Sequence, residues 1–322
     1  MSIVPHFEEV KRTACKASIM IEGLTGKGKS GLALIIARGL ADNWNEVFDI
    51  DTENNSIKLF AGIPCSTGSK FEKFKVGALT PDLGYKPTNY IAFREAAKKA
   101  GAKVVIKDSI SHAWSYKGGI LDMLADLKKA NVRYQKDSYA AWGDEAIVKE
   151  KNELLQLLRD PDVHVITTVR VKEKMEYSVD DKGKTVLVSL GEQQIQQADL
   201  KYEPDLVLHM IKPGKVKQDV IQHPVAKVIK SRYAIFDEGE EYEFTPQLIA
   251  QLKAYLEEGV DPETLLESQR QDYITAARDY LDAHPNAVSI WQILKKDIGH
   301  ENTKLEDLPL DIIKQLYIGI TE

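Results

Sequence analysis

Two rhythms of apolar and polar residues run through the chain. Short apolar runs, rich in β-branched side chains, recur at 18–21, 46–51, 103–108, 163–168, 205–211 and 225–229. Runs this short, apolar at consecutive positions and bounded by polar or turn residues, predict strands buried on both faces. Between them lie helical patterns: one over 31–40, one over 90–100 stopped by Gly101, one opening near Gly118, and a long one closing at Arg159. Thr245-Pro246 opens another, with proline at its first position, and that helix is expected to end at Gly259. Strands alternating with helices predict an α/β fold with a mainly parallel central sheet flanked by helices.

Elsewhere the rhythm breaks. Residues 56–90 are irregular, punctuated by Gly62, Pro64, Gly68, Pro81, Gly84 and Pro87, with a short strand expected near 74–76. Past Arg170 the chain turns polar, with Asp180-Asp-Lys-Gly-Lys184 as a hairpin turn and a returning strand over 185–190. After Asp261-Pro262 the pattern is helical, over 263–283, 287–297 and 308–318. The expected organisation is an N-terminal arm at 1–16, an α/β core at 17–259 and a small acidic helical domain at 260–322.

Composition narrows the class. The 322 residues are 43% hydrophobic and 29% charged, ample for a packed core. Two cysteines, Cys15 and Cys65, without paired spacing exclude a disulfide framework or a cysteine zinc site and suit a reducing compartment. No apolar run approaches a membrane span, and the first residues lack signal-peptide anatomy, so a cytoplasmic location is expected. The net charge of −6 is unevenly spread: residues 233–322 hold 7 basic and 19 acidic side chains, leaving 36 and 30 in the first 232. A mildly basic body with an acidic tail is compatible with a polyanionic partner, and equally with simple solubility.

Chemistry concentrates behind the first strand. Gly23-Leu24-Thr25-Gly26-Lys27-Gly28-Lys29-Ser30, followed by Gly31, fits G-x-x-x-x-G-K-[ST] between a strand and a helix. Glycines let successive N–H groups curl toward phosphate oxygens, and the helix start adds its positive dipole end. Lys29 is expected to reach the β- and γ-phosphates and Ser30 to ligate Mg²⁺. Asp51 and Glu53 follow the second strand; alternation puts them on one side if the strand continues, with Glu53 as general base for an attacking water. Asp108 ends the strand over 103–108, expected beside the loop, and completes the metal site. The segment 128–142 interleaves Lys and Arg with Tyr134, Tyr139 and Trp142, which suits single-stranded nucleic acid, a solvated helix face or a subunit contact. His112 and the other histidines show no metal-ligand spacing and are expected to be structural.

These motifs together resemble the RecA-like P-loop ATPases, and more narrowly the ATP-binding proteins of bacteriophage recombination and replication modules. The resemblance rests on 23–30, on Phe48-Asp-Ile-Asp-Thr-Glu53, on Lys107-Asp-Ser-Ile-Ser-His-Ala-Trp114 with Gly118-Gly-Ile-Leu-Asp, on Tyr139-Ala-Ala-Trp142, and on His164-Val-Ile-Thr-Thr-Val-Arg170-Val-Lys172. It spans about 17–235. It implies Mg²⁺-dependent hydrolysis of ATP, with Glu53 activating water and Asp108 beside the metal. It also implies a ring or filament of identical chains, with Lys230 and Arg232 reaching a neighbour's γ-phosphate. Thr168 falls where a polar sensor joins the γ-phosphate to a DNA-facing loop. Residues 115–140 and 171–200 fall in the places of two such loops, making Arg133, Tyr134, Lys136, Arg170, Lys172 and Lys174 the candidates for single-stranded DNA. The alternative is a regulatory ATPase or helicase loader acting on replication or recombination proteins without touching DNA; a small-molecule kinase lacks any acceptor or lid motif. Three residues depart from the pattern: Thr168 replaces glutamine, Lys27 adds a charge beside the phosphates and is expected to face solvent, and Lys107 replaces an apolar residue, which implies an exposed strand face.

Overall fold

The computed structural model describes residues 11–179, 185–217 and 220–321. In chain order these form β1 (Ser18–Gly23), α1 (Lys29–Leu40), β2 (Val47–Asp51), β3 (Lys75–Ala78), α2 (Pro87–Lys99), β4 (Val104–Asp108), α3 (Ser111–Ser115) and α4 (Ile120–Ala130). There follow α5 (Val132–Lys136), α6 (Glu145–Gln156), β5 (His164–Val179), β6 (Thr185–Gln194), β7 (Leu206–Lys212), β8 (Lys215–Lys217) and β9 (Val220–Gln222). The chain continues through β10 (Val225–Ser231), β11 (Glu241–Glu243), α7 (Pro246–Glu257), α8 (Pro262–Ala283), α9 (Ala287–Asp297) and α10 (Leu310–Thr321).

The central sheet runs in the order β11-β10-β7-β1-β5-β4-β2-β3. From β7 to β3 every pairing is parallel, while β10 and β11 add an antiparallel edge. Alternation along each strand sends side chains to two apolar layers. Ile19, Ile21, Val104, Ile106, Ile166, Leu206 and Leu208 pack with Leu32, Ile36 and Leu40 of α1 and Ile249 and Leu252 of α7. Met20, Val105, Val165 and Val207 pack on the opposite face with Tyr90 of α2, Leu124 of α4 and Leu154 of α6. Burial on both faces explains why the strands read as continuous apolar runs. It also overturns one expectation: Lys107 is fully buried, so β4 has no exposed face.

Two compact units divide the chain: Lys16–Leu256, and the segment ending at Cys15 together with Glu257 onward. The expected core boundary is close to this. Of the expected arm at 1–16, Thr13 makes a parallel bridge with Val260 and Arg12 pairs with Glu258 at 2.9 Å, both within the smaller unit. Residues 1–10 of that arm lie outside the described residues. In the smaller unit α8, α9 and α10 enclose Ile274, Ala277, Trp291, Ile313, Leu316 and Ile320.

β5 does more than complete the sheet. Its first half pairs in parallel with β1 and β4, and its second half pairs antiparallel with β6 from Val171 to Val179. The polar stretch after Arg170 is thus a long two-stranded arm that starts at the carboxyl end of the sheet. Its expected turn at 180–184 lies outside the described residues.

Candidate functional site

Ligands of open α/β sheets gather at the carboxyl ends of the strands, and the candidate residues converge there. β1 ends at Gly23, the loop over 24–28 follows, and α1 begins at Lys29 with Gly28 before it in the left-handed region (φ 93°). Gly28 is required twice over. Besides its φ, a Cβ there would stand 2.7 Å from Pro213. Lys29 is buried and donates from Nζ to the carbonyls of Gly23 (2.9 Å) and Leu24 (3.0 Å). Burial lowers its pKa, against the opposing pull of Asp108 and Glu53. Thr25, Gly26 and Lys27 are exposed, Lys27 facing solvent as expected.

Asp108 is the hinge of the site. Ser30 Oγ donates to its Oδ2, and Thr168 Oγ1 donates to its Oδ1 at 2.5 Å. Burial raises the Asp108 pKa and these two hydrogen bonds oppose the rise. In the sheet β5 lies between β1 and β4, and Asp108 reaches the loop across it through Ser30. Thr168, on that intervening strand, fills the gap. It is fully buried against Asp108, two residues before Arg170, where the arm begins.

The second strand behaves differently from its sequence reading. β2 stops at Asp51, so Asp51 and Glu53 do not share a strand face. Asp51 Oδ1 accepts from the Glu53 backbone N–H at 2.5 Å. Glu53 turns to Arg170: Nε donates to Oε1 at 2.7 Å and Nη2 donates to Oε2. Burial alone would raise the Glu53 pKa, but the Arg170 hydrogen bonds and charge outweigh it and the net shift is downward. Arg170, expected to face DNA, is committed here, with Nη1 donating to the Tyr116 hydroxyl at 2.7 Å. His112 packs 4.0 Å from the Tyr116 ring and meets Thr52 Oγ1 at 2.6 Å. Burial takes its pKa down to about 4, which keeps it a neutral structural group.

The remaining candidates lie elsewhere. Lys230 and Arg232 sit where β10 runs past the start of β7, at the Ser18 end of β1 and so at the opposite end of the sheet from Gly23. Lys230 donates to the carbonyls of Tyr202 and Pro204, and Arg232 pairs with Asp205 at 3.0 Å. Neither serves its own chain's loop. Arg133 and Lys136 are exposed on α5, while the Tyr134 hydroxyl donates to Asp144 at 2.9 Å. Lys172 is exposed at the arm's root. Lys174 stands further along β5, and its side chain lies outside the described residues.

Two features escaped the sequence reading. A cavity of about 450 Å³ opens beside the loop, walled by Gly28, Gly31, Phe60, Phe71 and Ser66 and roofed by 213–216. Phe60 and Phe71 meet edge to face, centroids 5.3 Å apart, and a Cβ on Gly31 would press on Phe60 at 3.2 Å. Ser66 Oγ is buried without a hydrogen-bond partner among the described residues. The second feature is a carboxylate–imidazole cluster at the arm's root. His209 Nδ1 meets Glu22 Oε1 at 3.1 Å, its Nε2 lies 3.6 Å from Glu192, and Gln194 also donates to Glu22. The chain matches no protein-family model and no curated protein.

Proposed function

We propose that the chain is a Mg²⁺-dependent ATPase with a RecA-like P-loop core, converting ATP to ADP and phosphate. The observation that carries this reading is the meeting of Ser30 and Asp108 directly behind Lys29, at the start of α1. A hydroxyl and a carboxylate are hard oxygen donors of the kind Mg²⁺ takes. Among the described residues no group of three or more His, Cys, Asp or Glu is placed to hold a metal. Mg²⁺ is usually held by one or two carboxylates with water and substrate phosphates, and Ser30 and Asp108 would supply the protein's share. Bound there, Mg²⁺ would neutralise charge developing on the phosphates. The backbone N–H groups of 24–30 and Lys29 would orient the phosphate chain, and the apolar cavity beside Gly31 would receive the base. A cavity of that size and lining is ordinary for a small-molecule site.

We further infer action on single-stranded DNA by an oligomer in phage-type recombination or replication. The arm continuing β5 and the basic, aromatic α5 region supply the surfaces, and Lys230 and Arg232 act from a neighbouring copy. A regulatory ATPase docking on proteins is the second reading, favoured by Val132 and Tyr139, which are 63% and 86% exposed beside those basic side chains. Phosphate release measured with and without single-stranded DNA separates the two. Stimulation that falls with salt supports the DNA reading, because phosphate contacts release counterions; no stimulation and no binding at low salt removes it. Lys29→Ala tests the site itself and is expected to abolish turnover, with loss of at least about a hundredfold in kcat/KM. Turnover that survives Lys29→Ala refutes the phosphate-loop assignment.

A further inference from the structure

Arg170 occupies a pivot. By strand register it lies opposite Gly23, the first glycine of the loop, and it is the last residue of β5 before the arm begins with the Val171–Gln194 pair. Its backbone is fixed on both sides: its N–H donates to Ser111 Oγ at 2.9 Å, and its carbonyl accepts from the Ile195 N–H at 2.8 Å. The guanidinium lies beyond these backbone contacts. That group is held by Glu53 and Tyr116, yet the Arg170 and Glu53 side chains each keep 22% of their surface in solvent. Lys29 and Asp108 are close enough for their charges to act on it, so the fork borders the ground where the loop presents its ligand.

From this geometry we infer that Arg170 is a phosphate-sensing positioning residue, which exchanges Glu53 for the terminal phosphate of a bound nucleoside triphosphate and thereby frees Glu53 to activate water. The inference rests on the ATPase reading above. Its chemistry is that of the guanidinium fork, which matches carboxylate and phosphate oxygens in the same bidentate way. Held through both oxygens by a cation, Glu53 is a weaker base, its pKa drawn down by the Arg170 hydrogen bonds and charge against the effect of burial. A terminal phosphate, more highly charged than one carboxylate, competes for the fork. Once released, Glu53 takes a proton from the attacking water while the water oxygen bonds to the γ-phosphorus. The bond from that phosphorus to the β–γ bridging oxygen breaks, leaving ADP. A diphosphate lacks the competing group, so Arg170 returns to Glu53. Hydrolysis is thereby restricted to triphosphate, from within one chain, whatever Lys230 and Arg232 supply from a neighbour.

The experiment compares binding of ADP and of a non-hydrolysable ATP analogue by titration calorimetry, with Mg²⁺, for the wild-type chain, Arg170→Ala and Arg170→Lys. Turnover of ATP is measured in the same preparations. Arg170→Ala is expected to weaken the analogue about tenfold or more while leaving ADP within about twofold. Its turnover is expected to fall, and Arg170→Lys, which keeps charge without the fork, is expected to recover part of the analogue's affinity. A turnover that rises in Arg170→Ala with the affinity ratio unchanged overturns the inference and leaves Arg170 a plain restraint on Glu53. Affinities that fall in step for both ligands overturn it in favour of a structural role. If the wild-type chain binds neither ligand, the ATPase reading itself has failed. If it binds and hydrolyses normally but the ratio ignores Arg170, only this inference has.

Discussion

Thr168 Oγ1 lies 2.5 Å from Asp108 Oδ1, on the opposite side of the carboxylate from Ser30. A buried carboxylate needs such donors, because an unpartnered charge in the interior is costly. Thr168→Val removes one of the two and keeps the shape. The expected cost is about 1–3 kcal/mol of folding stability, read from denaturant unfolding. Because Thr168 is fully buried against Asp108, the variant should weaken Mg²⁺-dependent binding of ATP and ADP together. A selective loss of triphosphate affinity would return Thr168 to the sensor role that its position in the sequence suggests.

Lys107 is the least comfortable residue in the core. Its Nζ has no hydrogen-bond partner among the described residues, and burial, then the charge of Arg94, push its pKa well below the ordinary 10.5, with Asp160 opposing. A lysine with a depressed native pKa binds fewer protons folded than unfolded, so stability rises with pH until the unfolded lysine also titrates near 10.5. Lys107→Met should remove that slope and raise stability at neutral pH, since an apolar side chain of similar length avoids the desolvation cost. Chemical denaturation from pH 6 to about pH 10 checks both. A Met variant that keeps the slope would show that another group carries it.

The arm's root should loosen as pH rises. Glu22 holds His209 by a hydrogen bond that raises the imidazole pKa above 6.5, against burial, with Glu192 adding to the rise and Lys227 opposing it. A histidine with a raised native pKa contributes stability that is complete below its unfolded value and fades as pH passes the folded one. Hydrogen exchange at the Gln193 and Gln194 amides should therefore accelerate above pH 6.5 beyond its intrinsic pH dependence. His209→Gln, which keeps a donor for Glu22 but cannot titrate, should abolish the excess. An unchanged profile in that variant would place the titrating group elsewhere.

How far the sequence carries is visible in these same residues. The strands β1, β2, β4, β7 and β10 and the helices α1, α2 and α7 lie within a few residues of their predicted places, as do α8, α9 and α10. They announce themselves by local pattern, apolar runs and helical spacing closed by proline or glycine. Non-local facts did not show. Strand order is set by which faces can be covered, so the insertion of β5 between β1 and β4 left no local mark. Neither did the Arg170–Glu53 pair, whose members stand 117 residues apart. The irregular stretch 56–71 looked like mere punctuation, because its value lies in placing Phe60, Ser66 and Phe71 around a cavity that forms against α1 and 213–216. Lys107 misled because charge is usually a sign of solvent; here β4 is covered on both faces, so neither side of the strand offers solvent.

That cavity gives the last prediction. Phe60 reaches Gly31 at the start of α1, where any larger side chain would crowd the ring, and with Phe71 it forms the apolar wall nearest the loop. A flat base lying there gains by stacking, and stacking on an aromatic side chain is worth about 1–3 kcal/mol per base. In the proposed ATPase reading the phosphates are bound separately, by the loop. Phe60→Ala should therefore weaken ATP by about 5–150-fold while leaving inorganic tripolyphosphate unaffected. Ser66→Ala should leave tripolyphosphate equally untouched but change the ratio of ATP to GTP affinity, because Ser66 lines the same cavity and its hydroxyl has no hydrogen-bond partner among the described residues. Competition titrations with the three ligands test this directly. If Phe60→Ala weakens ATP and tripolyphosphate alike, the ring supports the loop rather than the base, and the cavity has another occupant.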